Sequence, residues 1–221
     1  MPGKYKLVAF DVDGTLIDEM QFVWVKIHQD LGMDPEKVGQ ARDDFLNGCI
    51  TFREWADYDT NLWIRNGVTK HMIEKSIVKF SVMEGAIDTI KELHRRGYKL
   101  AIISGGLDIV VNHFLSNVKK YFSHIVINQL KFDDEGNLKG IDIPPEYDGW
   151  GESKQIVLKT IADKEGISTE DCVFVGDSNN DMDVIKEAGL GIAFNATPEL
   201  SEAADIVIKK KDLREILKII D

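Results

Sequence analysis

Asp11 and Asp13 stand two residues apart in Asp11-Val12-Asp13-Gly14-Thr15, directly after the apolar run Leu7-Val8-Ala9-Phe10, where a buried strand meets a loop. In an extended segment residues i and i+2 face the same side, so one carboxylate could attack a group while the other hands it a proton. Gly14 lets the chain turn away sharply without a Cβ clash. A second apolar run, Ala101-Ile102-Ile103, ends in Ser104-Gly105-Gly106 just before a helix-like stretch. A glycine-rich strand-to-helix turn there would offer backbone N–H groups and the Ser104 hydroxyl to a phosphate. A third run, Cys172-Val173-Phe174-Val175-Gly176, leads into Asp177-Ser178-Asn179-Asn180-Asp181, whose carboxylates and Asn180 are the hard oxygen donors that suit Mg²⁺. Lys154 lies near the start of a long amphipathic stretch.

Each signal taken singly also reads as an ordinary turn, helix cap or surface lysine. Their joint placement is more telling. All four carboxylates fall at or just beyond the C-terminal ends of expected parallel strands, where open α/β sheets bind ligands. Four carboxylates at one sheet edge repel one another and any phosphate, so the group requires a divalent cation and a compensating lysine.

The elements that must position these residues alternate. Strand-like segments are expected at 6–10, 99–103, 124–127, 172–175, 190–194 and 205–208, and helical patterns at 86–96, 108–118, 153–164, 180–188 and 212–220. Such alternation implies an α/β fold, a Rossmann-like doubly wound parallel sheet with helices on both faces. Residues 129–141, with Asp133-Asp134-Glu135-Gly136-Asn137 between short apolar stretches, read as a β-hairpin. Residues 17–80 are helical in period and hold Trp24, Trp55 and Trp63 with Phe22, Phe45, Phe52 and Tyr58, which suggests a small helical unit with its own aromatic core, inserted after the first strand.

Composition narrows the function. At 221 residues the chain can bury one good core and carry a small insertion. A net charge of −11 disfavours nucleic acid and anionic membrane as partners, while leaving room for a small phosphorylated metabolite. Cys49 and Cys172 form no C-x-x-C pair, and no apolar run approaches the roughly 20 residues of a membrane span. These features fit a soluble, cytoplasmic protein.

The motifs, in their order, resemble the haloacid dehalogenase superfamily of aspartate-nucleophile phosphatases. The resemblance narrows to the phosphoserine phosphatase branch through Glu84-Gly85-Ala86, Ile103-Ser104-Gly105-Gly106 and Asp212-Leu213-Arg214-Glu215-Ile216-Leu217. It implies a catalytic core of residues 1–16 and 81–221 and a cap of residues 17–80 that selects the substrate. It also implies Asp11 as nucleophile and Asp13 as general acid and base, with Ser104, Gly105, Lys154 and Asn180 around the phosphate. Mg²⁺ is then expected on the Asp11 carboxylate, the Asp13 backbone carbonyl and Asp177, with Asp181 organising its shell. In the cap the resemblance departs. Where phosphoserine phosphatases place a glutamate for the substrate ammonium this chain has Met20, beside Glu19, and where they place an arginine for the carboxylate it has Asp57, with Arg53 nearby. The expectation is therefore a Mg²⁺-dependent phosphomonoesterase whose substrate is not phosphoserine. Three alternatives stand beside it. A phosphotransferase or phosphomutase would share every catalytic residue, a receiver-type phospho-acceptor module would need neither Asp13 nor a cap, and a dehalogenase would have no use for Asp13.

Overall fold

The computed structural model describes residues 3–20, 22–145 and 152–220, so Gly151 of the Lys154 motif lies outside the described residues. In chain order the elements are β1 (Leu7–Phe10), β2 (Ile17–Asp18), α1 (Val23–Asp30), α2 (Pro35–Leu46), α3 (Phe52–Arg65), α4 (Lys70–Ile77), β3 (Ser81–Val82), α5 (Ala86–Arg95) and β4 (Lys99–Leu107). There follow α6 (Asp108–Phe114), β5 (His124–Phe132), β6 (Leu138–Asp142), α7 (Glu152–Glu165), β7 (Cys172–Gly176), α8 (Met182–Glu187), β8 (Leu190–Phe194), α9 (Pro198–Ala203) and β9 (Ile206–Ile208).

Leu7–Phe10 is apolar at every position, the pattern of a strand covered on both faces, and all four residues are buried. It forms the middle of a seven-stranded sheet of order β6-β5-β4-β1-β7-β8-β9. β1 runs parallel to both neighbours, with Phe10 level with Ile102 on β4 and Val175 on β7. Only β6 is antiparallel, closing the expected hairpin against the second half of β5. The chain thus winds from β1 outward through β4 and β5, then returns to β7 on the other side of β1. That reversal opens a crevice at the C-terminal ends of β1, β4 and β7. No helix among the described residues is long and apolar enough to cross a membrane.

Two expectations need correction. Ser104-Gly105-Gly106 is not a turn, because β4 runs on to Leu107. Its register slips against β5 between Ile103, opposite Val126, and Leu107, opposite Asn128. The extra residues make a bulge, which bends the strand and re-aims its side chains at the sheet edge. Residues 212–220 also form no α-helix. Leu213–Lys218 is a 3₁₀ segment, begun by the Asp212 carboxylate, which accepts from the Arg214 N–H.

Helices α1 to α4 lie between β2 and β3, which pair antiparallel as a two-strand ribbon, Ile17 with Val82 and Asp18 with Ser81. Asp34 before Pro35 begins α2, and a Thr51–Glu54 capping box begins α3. The expected aromatic core is present. Trp24 stacks on Trp63 at 5.3 Å and Phe45 on Trp55 at 5.1 Å, whereas Tyr58 is exposed. The tip of the β5–β6 hairpin meets these helices, with the Lys70 N–H donating to the Gly136 carbonyl and the Leu138 N–H to that of Val68.

Candidate active site

Because β1 and β7 end side by side, Asp11 and Asp177 leave the sheet together. The Asp11 N–H donates to the Val175 carbonyl at 3.0 Å, and Gly14 turns the chain back beneath Asp177. At φ +80°, a Cβ on Gly14 would lie 2.1 Å from Asp177 Oδ2, so both the backbone angle and the space demand glycine there. Carboxylate oxygens of Asp11, Asp177 and Asp181 all fall within 4.8 Å of one another.

Lys154, from α7, is buried to 1% exposure among them. Its Nζ lies 3.0 Å from Asp11 Oδ1 and 2.5 Å from Asp181 Oδ1. The other oxygen of Asp181 accepts the Asp177 N–H at 3.1 Å, so both its oxygens are engaged with the protein and it braces the turn after β7. Asp13 lies near enough to Asp11 to feel its charge. Its Oδ2 accepts the Val23 N–H of α1 at 2.8 Å, while Oδ1 has no hydrogen-bond partner among the described residues. Asp177 Oδ1 is likewise buried without one.

The electrostatics follow from burying four carboxylates with one lysine. Burial, and then the Asp11 charge, push Asp13 up to about 7. Burial, and then Asp11 and Asp181, push Asp177 up to about 9. Asp181 rises to about 6, because burial outweighs the Lys154 ammonium beside it. The cluster is short of positive charge. A hard divalent cation against the unpartnered Asp177 oxygen and the Asp11 carboxylate would supply it, and an all-oxygen donor set suits such an ion. The Asp13 carboxylate lies outside this cluster, in keeping with an expected role for its backbone carbonyl rather than its side chain toward the metal.

Ser104 comes to the same place from β4. A Cβ on Gly106 would lie 3.1 Å from Asp13 Oδ1 and 3.3 Å from Ser104 Oγ, so both oxygens lie close against this glycine. The Gly106 N–H donates to Ser104 Oγ at 3.1 Å. Asn180 sits at the turn after β7 and accepts from the Ser178 hydroxyl at 2.8 Å. Beside Asp177 opens a cavity of about 650 Å³ lined by Gly14, Glu19, Met20, Phe22, Phe80 and Thr197, among others. Glu19 is exposed with φ +59°, and Met20 is buried. Arg53 and Asp57 do not line this cavity. The period of α3 turns Phe52, Trp55, Ala56 and Asp59 inward and leaves both on the exposed side, where Arg53 donates to the Ile143 carbonyl at 3.4 Å.

The structure also brings in residues that carry no local motif. The Trp24 indole N–H donates to the Gly105 carbonyl at 3.1 Å, and the Asn128 amide donates to the same oxygen at 2.9 Å. Behind Trp24, the Trp63 N–H donates to His28 Nδ1 at 3.1 Å, and His28 Nε2 meets Asp59 at 2.9 Å.

Comparisons with known proteins agree with this geometry. Residues 5–189 match the haloacid dehalogenase-like hydrolase family. The chain is 40% identical to the phosphoserine phosphatase of Methanocaldococcus jannaschii over the full length of both chains. It is 33% identical to that of Wolinella succinogenes, over 96% of this chain and 98% of the relative. A solved substrate-bound phosphoserine phosphatase complex superimposes with a TM-score of 0.76 at 36% identity, covering 99% of this chain and 100% of that one.

Proposed function

The chain belongs to the haloacid dehalogenase-like hydrolase family, on the side of its phosphoserine phosphatases, and from that premise we propose that it hydrolyses a small phosphomonoester through an aspartyl-phosphate on Asp11. The observation that carries this reading is the buried Asp11 carboxylate held 3.0 Å from Lys154, with Asp13 Oδ1 and Ser104 Oγ both beside Gly106 at the end of β4.

Asp11 attacks phosphorus in line with the ester oxygen. The bond from phosphorus to that oxygen breaks, and Asp13, poised near neutrality, delivers its proton to the departing alkoxide. Asp13 then takes a proton from the water that attacks the phosphorus of the aspartyl-phosphate, which releases inorganic phosphate and restores Asp11. The Ser104 hydroxyl, the Gly105 N–H and the Lys154 ammonium meet the non-bridging oxygens, so most of the rate comes from positioning and charge stabilisation. Asp11, Asp177 and the Asp13 backbone carbonyl would hold Mg²⁺, braced by Asp181 and Asn180. The ion would supply the positive charge that lets this acidic edge accept a phosphate.

Residues 17–80 act in this reading as a cap over a core of residues 1–16 and 81–221. Supporting it, Val23 and Trp24 of the helical insert reach Asp13 and Gly105 directly. Family membership displaces the receiver-type alternative, and transfer to an acceptor alcohol remains the competing outcome to measure. For the substrate two readings compete. The names of the relatives favour phosphoserine and give no support to its exclusion. Met20, which lines the cavity where a recognition glutamate is expected, favours another leaving group, whereas Asp57 lies on the exposed side of α3 and bears on neither. A panel of phosphorylated metabolites that includes phosphoserine, assayed with and without Mg²⁺, tests the function. Hydrolysis lost in Asp11→Asn, with a phosphoryl group trapped on Asp11 of the unmutated chain, is the expected result. Full activity in Asp11→Asn would overturn it.

A further inference from the structure

We propose that Trp24 is a positioning residue for the phosphate-binding end of β4, acting through the Gly105 carbonyl. A trans peptide points its carbonyl and the following N–H in opposite directions. The Gly105 oxygen accepts from Trp24 Nε1 at 3.1 Å and from Asn128 Nδ2 at 2.9 Å, which occupies both of its lone pairs. With that oxygen pinned on one side, the Gly106 N–H of the same peptide plane is aimed at the other, where it donates to Ser104 Oγ at 3.1 Å. Ser104 Oγ is thereby engaged as an acceptor, and its hydroxyl hydrogen is left to donate to a phosphate oxygen. Trp24 thus orients the serine hydroxyl at one remove, through a peptide group.

The indole is itself held rigidly. It is 1% exposed, stacks on Trp63 at 5.3 Å with the planes 27° apart, and bonds outward only through its N–H. Trp63 in turn donates to His28 Nδ1, which leaves Nε2 to carry a proton toward Asp59. That buried pair fixes the ring on which Trp24 rests, so a placement in the helical insert is transmitted to β4 without a flexible side chain between them. Val23, the preceding residue, donates its backbone N–H to Asp13. Two consecutive residues at the start of α1 therefore engage both the acid and the phosphate-binding strand.

The inference rests on the hydrolase reading above, and the experiment separates the two. Inorganic phosphate in the presence of Mg²⁺ is titrated calorimetrically against the unmutated chain, Trp24→Phe and Trp55→Phe, alongside kcat and melting temperature. Trp55 belongs to the same aromatic stack, and its indole N–H has no hydrogen-bond partner among the described residues, so its replacement makes a comparable packing change without touching β4. Loss of one neutral hydrogen bond predicts roughly a 3- to 10-fold weaker phosphate constant and a similar fall in kcat for Trp24→Phe. Trp55→Phe is expected to stay within about twofold of the unmutated chain. Equal effects in the two variants, or no effect in Trp24→Phe, would overturn the role. If Trp24→Phe does not fold, Asn128→Ala removes the other donor from the same oxygen, together with its bond to the Gly106 carbonyl at 3.1 Å, and must weaken phosphate binding by at least a like factor. An unmutated chain that binds phosphate yet hydrolyses no phosphomonoester would sink the hydrolase reading, while the phosphate constants would still decide the role of Trp24.

Discussion

The Lys154 ammonium lies 3.0 Å from Oδ1 of Asp11, with both side chains almost wholly removed from water. A buried ion pair adds little when compared with a hydrophobic pair of the same shape, yet removing one partner strands the other and costs about 3–5 kcal/mol. Lys154→Met should therefore lose activity and lower the melting temperature. The drop should be larger at pH 8 than at pH 5.5, since Asp181, left without its cation, is relieved when it takes up a proton. Equal drops at the two pH values would show that Lys154 is not the counterion of this cluster.

Asp13→Asn should slow both formation and breakdown of the aspartyl-phosphate. Proton transfer by a positioned group is typically worth about 10²–10⁴-fold, and an activated aryl phosphate needs little of it in the first step. Single-turnover phosphorylation of Asp11 by an alkyl phosphate should consequently suffer far more than by an aryl phosphate. The same loss for both would remove Asp13 from the role of acid.

A divalent metal at this site would compete with protons for the acidic cluster. Asp13, Asp177 and Asp181 titrate at about 7, 9 and 6 in the folded chain, against about 4 when unfolded. Between these limits the folded state binds more protons than the unfolded one, so the stability contributed by these groups is present at low pH and falls as the pH rises. Mg²⁺ held by Asp11 and Asp177 would take the place of the Asp177 proton and, through its charge, lower the proton affinity of Asp13 and Asp181. Its addition should raise the melting temperature more at pH 8 than at pH 5.5, and calorimetry at pH 7 in buffers of different ionisation enthalpy should detect proton release on binding. A stabilisation by Mg²⁺ independent of pH would refute this account of the site.

Phosphoserine should give a lower kcat/KM than at least one other small phosphomonoester. The loss of a charged partner in a closed site costs about 2–5 kcal/mol, roughly 30- to several-thousand-fold. Met20→Glu should then raise kcat/KM for phosphoserine relative to the rest of the panel. Phosphoserine at the top of the panel, with activity lost in Arg53→Ala, would instead show that Arg53 reaches the substrate despite its exposed place on α3.

The strands were legible because they are continuous apolar runs. Leu7–Phe10, Cys172–Val175 and Leu190–Phe194 admit no amphipathic alternative, and their ends delivered Asp11 and Asp177 to one edge. The end of β4 was not legible, since serine and glycine ordinarily mark turns. At Gly106 the absent Cβ instead answers to Asp13 Oδ1, a neighbour from the loop after β1. Trp24 reads in the sequence as one more core aromatic, because the oxygen its N–H meets lies 81 residues further along the chain. β2 and β3, two residues each, are too short for any periodicity to report them.

The pairing of Ile17 with Val82 and Asp18 with Ser81 has a consequence for how this protein can be altered. The chain leaves the sheet edge and comes back to it along neighbouring strands, about 5 Å apart. Any helical segment whose two ends meet at that separation could be spliced in place of the present one without re-threading the strands that carry Asp11, Ser104 and Asp177. On the proposed reading of residues 17–80 as a specificity cap, new specificities would be open to construction by exchanging a cassette at one ribbon, with Trp24 as the contact that a graft must reproduce or replace.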